Sequence, residues 1–192
     1  MGTIKTTNIE PIANNGTVTL GSSGDTFTVP SGVTVNMSSA TQTGVGGINT
    51  PAFSAFRSGS VQSISDSTTT TILYNAEQVD TDNAYDTSTG KFTPQTAGKY
   101  FVTFSTIGQS GQNSNADFIF GYIKKNTTTV GYTIVDFRAN PGRAASITNS
   151  AIVSMNGTTD YLLTQIYITA NASGSGLQVD VNSNFNAYRI IE

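Results

Sequence analysis

Asp80, Asp82 and Asp86 sit close together in one polar stretch. Ca²⁺ takes about six to eight oxygens, and a loop that supplies several from nearby positions is its usual host. These three carboxylates are therefore candidate Ca²⁺ ligands. The competing reading is that they are turn residues, with Asp86 capping a turn that ends at Gly90. Two polar loop segments offer hydrogen-bonding chemistry instead. The first, Gln109-Ser110-Gly111-Gln112-Asn113-Ser114-Asn115, and the second, around Asn171, carry amides and hydroxyls and no apolar anchor. Gln109, Gln112, Asn113, Asn115 and Asn171 thus suit recognition of a glycan, since loops at the end of a β-sandwich commonly carry binding. Arg138 and Arg143 bracket a short loop. They fit contact with an anionic surface polymer, or an inter-subunit ion pair with Asp136 or Asp117.

Catalysis has little to work with. The chain has no His and no Cys. That removes Ser-His-Asp and Cys-His nucleophiles, imidazole and thiolate metal ligands, and disulfides. Glycoside hydrolysis would need paired carboxyls, yet Asp66, Glu77, Asp117, Asp136, Asp160 and Asp180 stand apart in sequence. The expectation is a protein that is not an enzyme and has no cofactor beyond the candidate Ca²⁺.

Composition bounds the rest. The 192 residues allow one or two domains with a sizeable core. Charged residues are only 11%, and Ser, Thr, Asn and Gly fill the surface in their place. A net charge of −3 without a basic cluster gives nucleic acid no electrostatic footprint. No apolar run reaches membrane-spanning length, so no membrane insertion is expected. MGTIKTTNIEPI lacks the apolar core of a signal peptide, and the expectation is assembly in a cytoplasm.

The elements that must position these residues read as strands. Helical periodicity is not sustained, and Thr, Val and Ile recur in short alternating runs. The Gly-rich joint Thr43-Gly44-Val45-Gly46-Gly47 divides the chain into a segment 1–47 and a domain 48–192. In the segment, Thr17–Leu20, Thr26–Val29 and Val33–Met37 are expected strands, parted by turns at Gly21–Asp25 and Pro30–Gly32. Forty such residues scarcely close a core alone, so threefold association is expected to complete one. The phrase TLGSSGDTFTVPSGVTV resembles the short β-repeats of bacteriophage tail fibres and other virion appendages.

In the domain, Asn83 to Phe104 reads Tyr-Asp-x-x-x-Gly-x-Phe-x-Pro-x-x-x-Gly-x-Tyr-x-x-x-Phe from Tyr85 onward: turn, short strand, turn, long strand. Ala52-Phe53-Ser54-Ala55 precedes it. Thr71–Tyr74, Phe118–Ile123 with the turn Lys124-Lys125-Asn126, Val130–Phe137, Ser146–Met155, Tyr161–Thr169 and a closing Ser183–Ile191 complete the strand pattern. In this order the segments resemble the C1q/tumour-necrosis-factor-like domains over roughly residues 51–191, although Ala187 stands where a Gly is common in the final strand. The resemblance implies an all-β jelly-roll sandwich that forms a homotrimer. It also implies Ca²⁺ near the trimer apex in some members, and aromatic rows lining the threefold interface. Tyr100, Val102, Tyr122 and Tyr188 are the expected interface residues, and Tyr74 and Tyr132 the alternative exposed platforms for sugar rings. The other aromatics on strand patterns, among them Phe101, Phe104, Phe118, Phe120, Tyr161 and Tyr167, are expected to pack in the core or at the axis.

The combined reading is a bacteriophage virion protein, displayed on a particle assembled in the host cytoplasm. Its C1q-like head binds a host-surface glycan or protein, and residues 1–47 attach it to other virion proteins. Capsid decoration is the alternative, favoured by the short stem. A free C1q-like lectin and a depolymerase are the remaining readings.

Overall fold

The computed structural model describes residues 9, 17–35, 49–111, 115–171 and 176–190. The chain divides into two compact units, Met1–Val45 and Gly46–Glu192.

In the first unit the expected turns form. The Asp25 amide donates to the Ser22 carbonyl at 3.0 Å, the Asp25 carboxylate accepts from the Ser22 amide at 2.6 Å, and the Val33 amide donates to Pro30 at 3.3 Å. Gly21, Gly24 and Gly32 take positive φ at these corners. The expected strands do not form: among the described residues of this unit none is in a strand. A strand must hand its amides and carbonyls to a neighbour, and these short runs find none within a single copy.

The second unit is all-β. Its strands are β1 (Ala52–Phe56), β2 (Gln62–Ser63), β3 (Thr70–Thr71), β4 (Ala76–Asp80), β5 (Tyr85–Asp86), β6 (Lys91–Phe92) and β7 (Gly98–Gln109). They continue with β8 (Ala116–Lys125), β9 (Thr128–Asp136), β10 (Ala144–Met155), β11 (Leu162–Ala170), β12 (Gln178–Val179) and β13 (Asn184–Arg189). One sheet runs β4-β1-β13-β7-β10, with β12 following β13's edge of β7 and β2 outside β12. The other runs β5-β6-β11-β8-β9, with β3 also on β11. Every pairing is antiparallel, and crossovers carry the chain between sheets, as a jelly roll requires.

Alternation decides the faces. Tyr100, Val102, Phe104 and Thr106 of β7 point inward and are fully buried. They meet Ile119, Ile123, Ile166 and Ile168 of the facing sheet. Phe53 anchors one part of the core. Its ring stacks on Tyr85 at 4.9 Å and on Phe92 at 4.4 Å, and meets Phe185 edge-on at 4.9 Å. Gly121 interrupts the inward row of β8 because a Cβ there would sit 2.8 Å from the Phe104 ring. One hydroxyl network ties the sheets: the Tyr74 phenol bonds Thr106 of β7 at 2.9 Å and Thr164 of β11 at 3.0 Å. Tyr74 is thus fully buried and is no sugar platform, a correction to the sequence reading.

The Gly90 turn is built as expected. The Gly90 amide donates to the Asp86 carbonyl at 2.8 Å, with Gly90 at φ +70°. The first and last strands of the sandwich are neighbours, Ala52 opposite Tyr188. They meet at the pole where β7 begins; β7 ends at the opposite pole, at Gln109.

Candidate functional site

The polar loops of the sequence reading converge on that second pole. The Ser110 amide donates to the Arg143 carbonyl at 2.8 Å, and Arg143 Nε donates to the Gly111 carbonyl at 2.7 Å. Ala116 and Gly142 exchange amide–carbonyl bonds of 3.0 and 3.1 Å, and the Asn171 amide reaches the Asn115 carbonyl at 3.0 Å. Gly111 passes close to Gly176: a Cβ on Gly111 would lie 3.0 Å from the Gly176 carbonyl oxygen. Residues distant in sequence, Ser110, Gly111 and Asn115, Gly142 and Arg143, and Asn171 and Gly176, are thereby brought together. Asn171 and Arg143 are exposed, Asn115 is half-buried, and Gln109 is buried at the end of β7 between Ala144 and Gln178. Gln109 belongs to the sheet and not to the loop surface. Gln112 and Asn113 lie outside the described residues.

Arg138 stands at the edge of this pole. Its guanidinium grips the Asp136 carboxylate with Nη2 to Oδ2 at 2.7 Å and Nε to Oδ1 at 3.1 Å. That hydrogen bonding holds the Asp136 carboxyl below its ordinary pKa and Arg138 above its own. The ion pair lies within one chain, two residues apart. Beside it is an open hollow of about 540 Å³ bordered by Asp136, Arg138 and Ala139. The guanidinium carbon also lies 4.3 Å from the Phe118 ring centroid.

Phe118 begins a second surface. On β8 the inward row is Ile119, Gly121 and Ile123, so Phe118, Phe120 and Tyr122 face out. Their ring centroids are 5.7 and 6.0 Å apart, and Tyr167 of β11 meets Phe120 edge-on at 5.8 Å. On β9, Ile134 lies opposite Phe120 and Tyr132 opposite Tyr122. Tyr132 is 63% and Ile134 42% exposed. Lys124 closes the far end, with Nζ 5.3 Å from the Tyr122 centroid. Burial among these rings pushes the Tyr122 phenol up from its ordinary pKa. The sequence reading gave a core or an axis for this row, and the structure excludes the protomer core. The distinguishing signal was present in Phe118-Ile119-Phe120-Gly121-Tyr122-Ile123: the face that contains a glycine is the one another sheet presses against.

The acidic cluster is not assembled. Among the described residues no group of three or more acids is placed to hold a metal ion. The Asp80 carboxylate accepts from the Ala84 and Tyr85 amides at 3.0 and 2.9 Å. The Asp86 carboxylate accepts from the Ser88 amide and hydroxyl and from the Thr89 hydroxyl, at 2.8, 2.6 and 2.8 Å. Those bonds hold the Asp86 carboxyl down at about 2. Both carboxylates cap turns, the competing reading of the sequence.

Of the four residues expected at a subunit interface, Tyr100 and Val102 are corrected. Both are fully buried inside the protomer, because their parity on β7 is that of Phe104. The outward parity belongs to Phe101, which meets Tyr188 at 5.5 Å. Ile152 lies opposite Phe101 across β10, so Ile152, Phe101 and Tyr188 form one outward row, with Ile152 64% and Tyr188 42% exposed. Tyr188 and Tyr122 remain surface residues. Among the described residues no helix is long and apolar enough to cross a membrane.

Comparison with known proteins places this geometry. The C1q domain family profile matches residues 52–175. The globular domain of a zebrafish complement 1qA protein is similar in structure, with a TM-score of 0.52 at 18% identity, covering 73% of this chain and 96% of that one. Murine APRIL is similar at the same TM-score of 0.52 with 9% identity, covering 72% of this chain and 98% of its own. No curated protein sequence matches the chain. At such identities the structural likenesses carry the fold, a C1q/TNF-like jelly roll.

Proposed function

Because the chain belongs to the C1q domain family, we propose that it is a non-enzymatic, homotrimeric binding protein of a bacteriophage virion. Residues 1–47 attach it to other virion proteins, and its C1q-like head adheres to a glycan of the host surface. One observation carries this reading. The described residues 17–35 form no strand and leave Leu20, Phe27 and Val33 at least 57% exposed, whereas residues 52–189 close a complete sandwich. A segment with that pattern is built to be completed by other chains, and a closed sandwich is built to be displayed. C1q/TNF-like domains associate as homotrimers and bind ligands, and three weak sites on one trimer gain avidity without any new contact. The net charge of −3 argues against nucleic acid as the ligand.

Two experiments test the reading. Gold-antibody labelling of intact particles is expected to mark an appendage tip; particles without label overturn the virion role in favour of a free lectin. Removal of residues 1–47 is expected to leave a folded trimeric head that no longer joins particles. A second reading is capsid decoration, and label spread over the capsid would establish it. Incubation with host polysaccharide is expected to leave chain length unchanged; shortening would reinstate a depolymerase.

A further inference from the structure

We propose that the outward face of the second sheet, more than the loops at its pole, is the glycan platform. Its ligand is a neutral polysaccharide whose pyranose rings lie along Phe118, Phe120 and Tyr122, with Tyr132, Ile134 and Tyr167 beside them. The proposal rests on the reading of the head as a glycan-binding module and deepens it to a site and a ligand class.

The two outer faces of the sandwich differ. On the first sheet the outward apolar residues lie toward the margins, Phe56 and Val79 on the β4 side and Ile152, Phe101 and Tyr188 in an end row, while the middle positions are Ser54, Thr103, Ser105, Thr148, Asn184 and Asn186. These are the residues this chain uses throughout for solvated surface. At the matching positions of β8 it instead places two Phe and a Tyr, and β9 and β11 extend them. Aromatic rings facing water are costly to hydration and mark a binding surface when contiguous. The patch spans three strands and three outward rows, roughly 10 Å by 14 Å at strand spacings of about 4.8 Å and two-residue steps of about 6.8 Å. A stable protein interface takes about 800 Å² from each partner, so this strip is too small for one and matches a few sugar rings.

Charge argues for a neutral chain. Arg138 at one end is held bidentate by Asp136, and Lys124 at the other donates to Thr129 Oγ1 at 2.6 Å. Thr129 is a neutral partner, so Lys124 keeps its charge, but among the described residues of the strip it is a single cation and not a basic cluster that would draw an acidic polymer or an anionic lipid surface. What the strip does offer is complementary to a neutral sugar. Ring surfaces meet the apolar C–H face of a pyranose. The planar Asp136–Arg138 pair beside the hollow, and Gln165 opposite Tyr122 on β11, meet its hydroxyls.

The test is binding of the full-length chain to an array of purified neutral and acidic polysaccharides, with affinities for hits measured by affinity electrophoresis. Wild type is compared with Phe120→Ser, Tyr132→Ala and Asn171→Ala, each checked for trimer mass and melting temperature. Binding to neutral polysaccharide, weakened at least tenfold by Phe120→Ser and by Tyr132→Ala and unchanged by Asn171→Ala, supports the proposal. Tyr132→Ala decides the matter if Phe120→Ser fails to fold, since the Tyr132 side chain is largely in water. Loss of binding only in Asn171→Ala keeps the glycan-binding head and overturns the platform. Selective binding to acidic polysaccharides also overturns it. Trimers that dissociate in Tyr132→Ala would show the strip to be a subunit interface. No binding to any polysaccharide overturns both the platform and the glycan reading.

Discussion

Removing one oxygen, by Tyr74→Phe, should destabilise the head at neutral pH and cost nothing in strong alkali. The Tyr74 phenol is fully buried and bonds two hydroxyls, Thr106 and Thr164, that are also fully buried. Deleting it leaves both threonines to find other partners, and a buried hydroxyl left unsatisfied costs about 1–3 kcal/mol. A net loss of about 2 kcal/mol at pH 7–8 is expected. The same burial pushes the Tyr74 pKa from 10.0 up to about 12. In the unfolded chain the phenol ionises at its ordinary value, so the wild-type contribution is fully present below pH 10. It is lost as pH rises from 10 toward 12. Two pKa units at about 1.4 kcal/mol each make roughly 2.7 kcal/mol. Phenylalanine has no proton to lose, so the variant escapes this penalty. The gap between the two proteins should therefore shrink from about 2 kcal/mol at pH 8 to near zero by pH 12. Urea unfolding followed by circular dichroism, with both proteins at one concentration so that any association contributes equally, measures it. A gap that stays constant from pH 8 to pH 12 would refute the argument, because it would mean that Tyr74 is not desolvated in the fold.

Three further outcomes are expected. Gly121→Ala places a methyl 2.8 Å from the Phe104 ring and 3.1 Å from Ile147, and should lower stability by about 1–3 kcal/mol with the fold retained; an unchanged melt would mean the sheets part easily there. Asp86 contributes stability that is present above its unfolded pKa of 3.8 and lost as pH falls toward about 2. Asp86→Ala should thus be less stable at pH 6 and no longer lose stability over that acid window, which thermal melts at pH 6, 4 and 2.5 would show. Millimolar Ca²⁺ should leave the melting temperature where EDTA leaves it; a clear rise would mean that Asp80 and Asp86 exchange their turn amides for a cation.

Much of the sandwich was legible because it is written in local signals. Gly90 and Asp86 specify a turn by backbone conformation and side-chain capping. The alternation from Tyr100 to Phe104 specifies a strand. Parity was harder, since Tyr100 and Phe101 are both aromatic and only the facing sheet decides which is inside. Inverting them put Tyr100 and Val102 at an interface they cannot reach. The short strands β2, β4 and β12 gave no periodic signal at all; they exist because longer neighbours offer an edge to pair with. The convergence of Gly111, Asn115, Gly142 and Asn171 at one pole is a long-range property of the topology, invisible to spacing along the chain. In residues 17–35 the turns followed from sequence and the strands did not, because a turn is local whereas a strand is a property of two paired segments.

The adjacency of β1 and β13 makes the head a one-socket device. Both of its ends leave by the same pole, and β7, about 40 Å long at roughly 3.4 Å per residue, separates that pole from the converging loops. Any fusion, fluorophore or surface tether attached near Ala52 or Arg189 therefore occupies the same side and leaves the opposite one open. An immobilised head would present its loops outward whichever end is used. Donor and acceptor dyes at the two ends would sit side by side and transfer energy efficiently in the folded state, which gives a direct optical readout of unfolding that leaves the pole of the converging loops untouched.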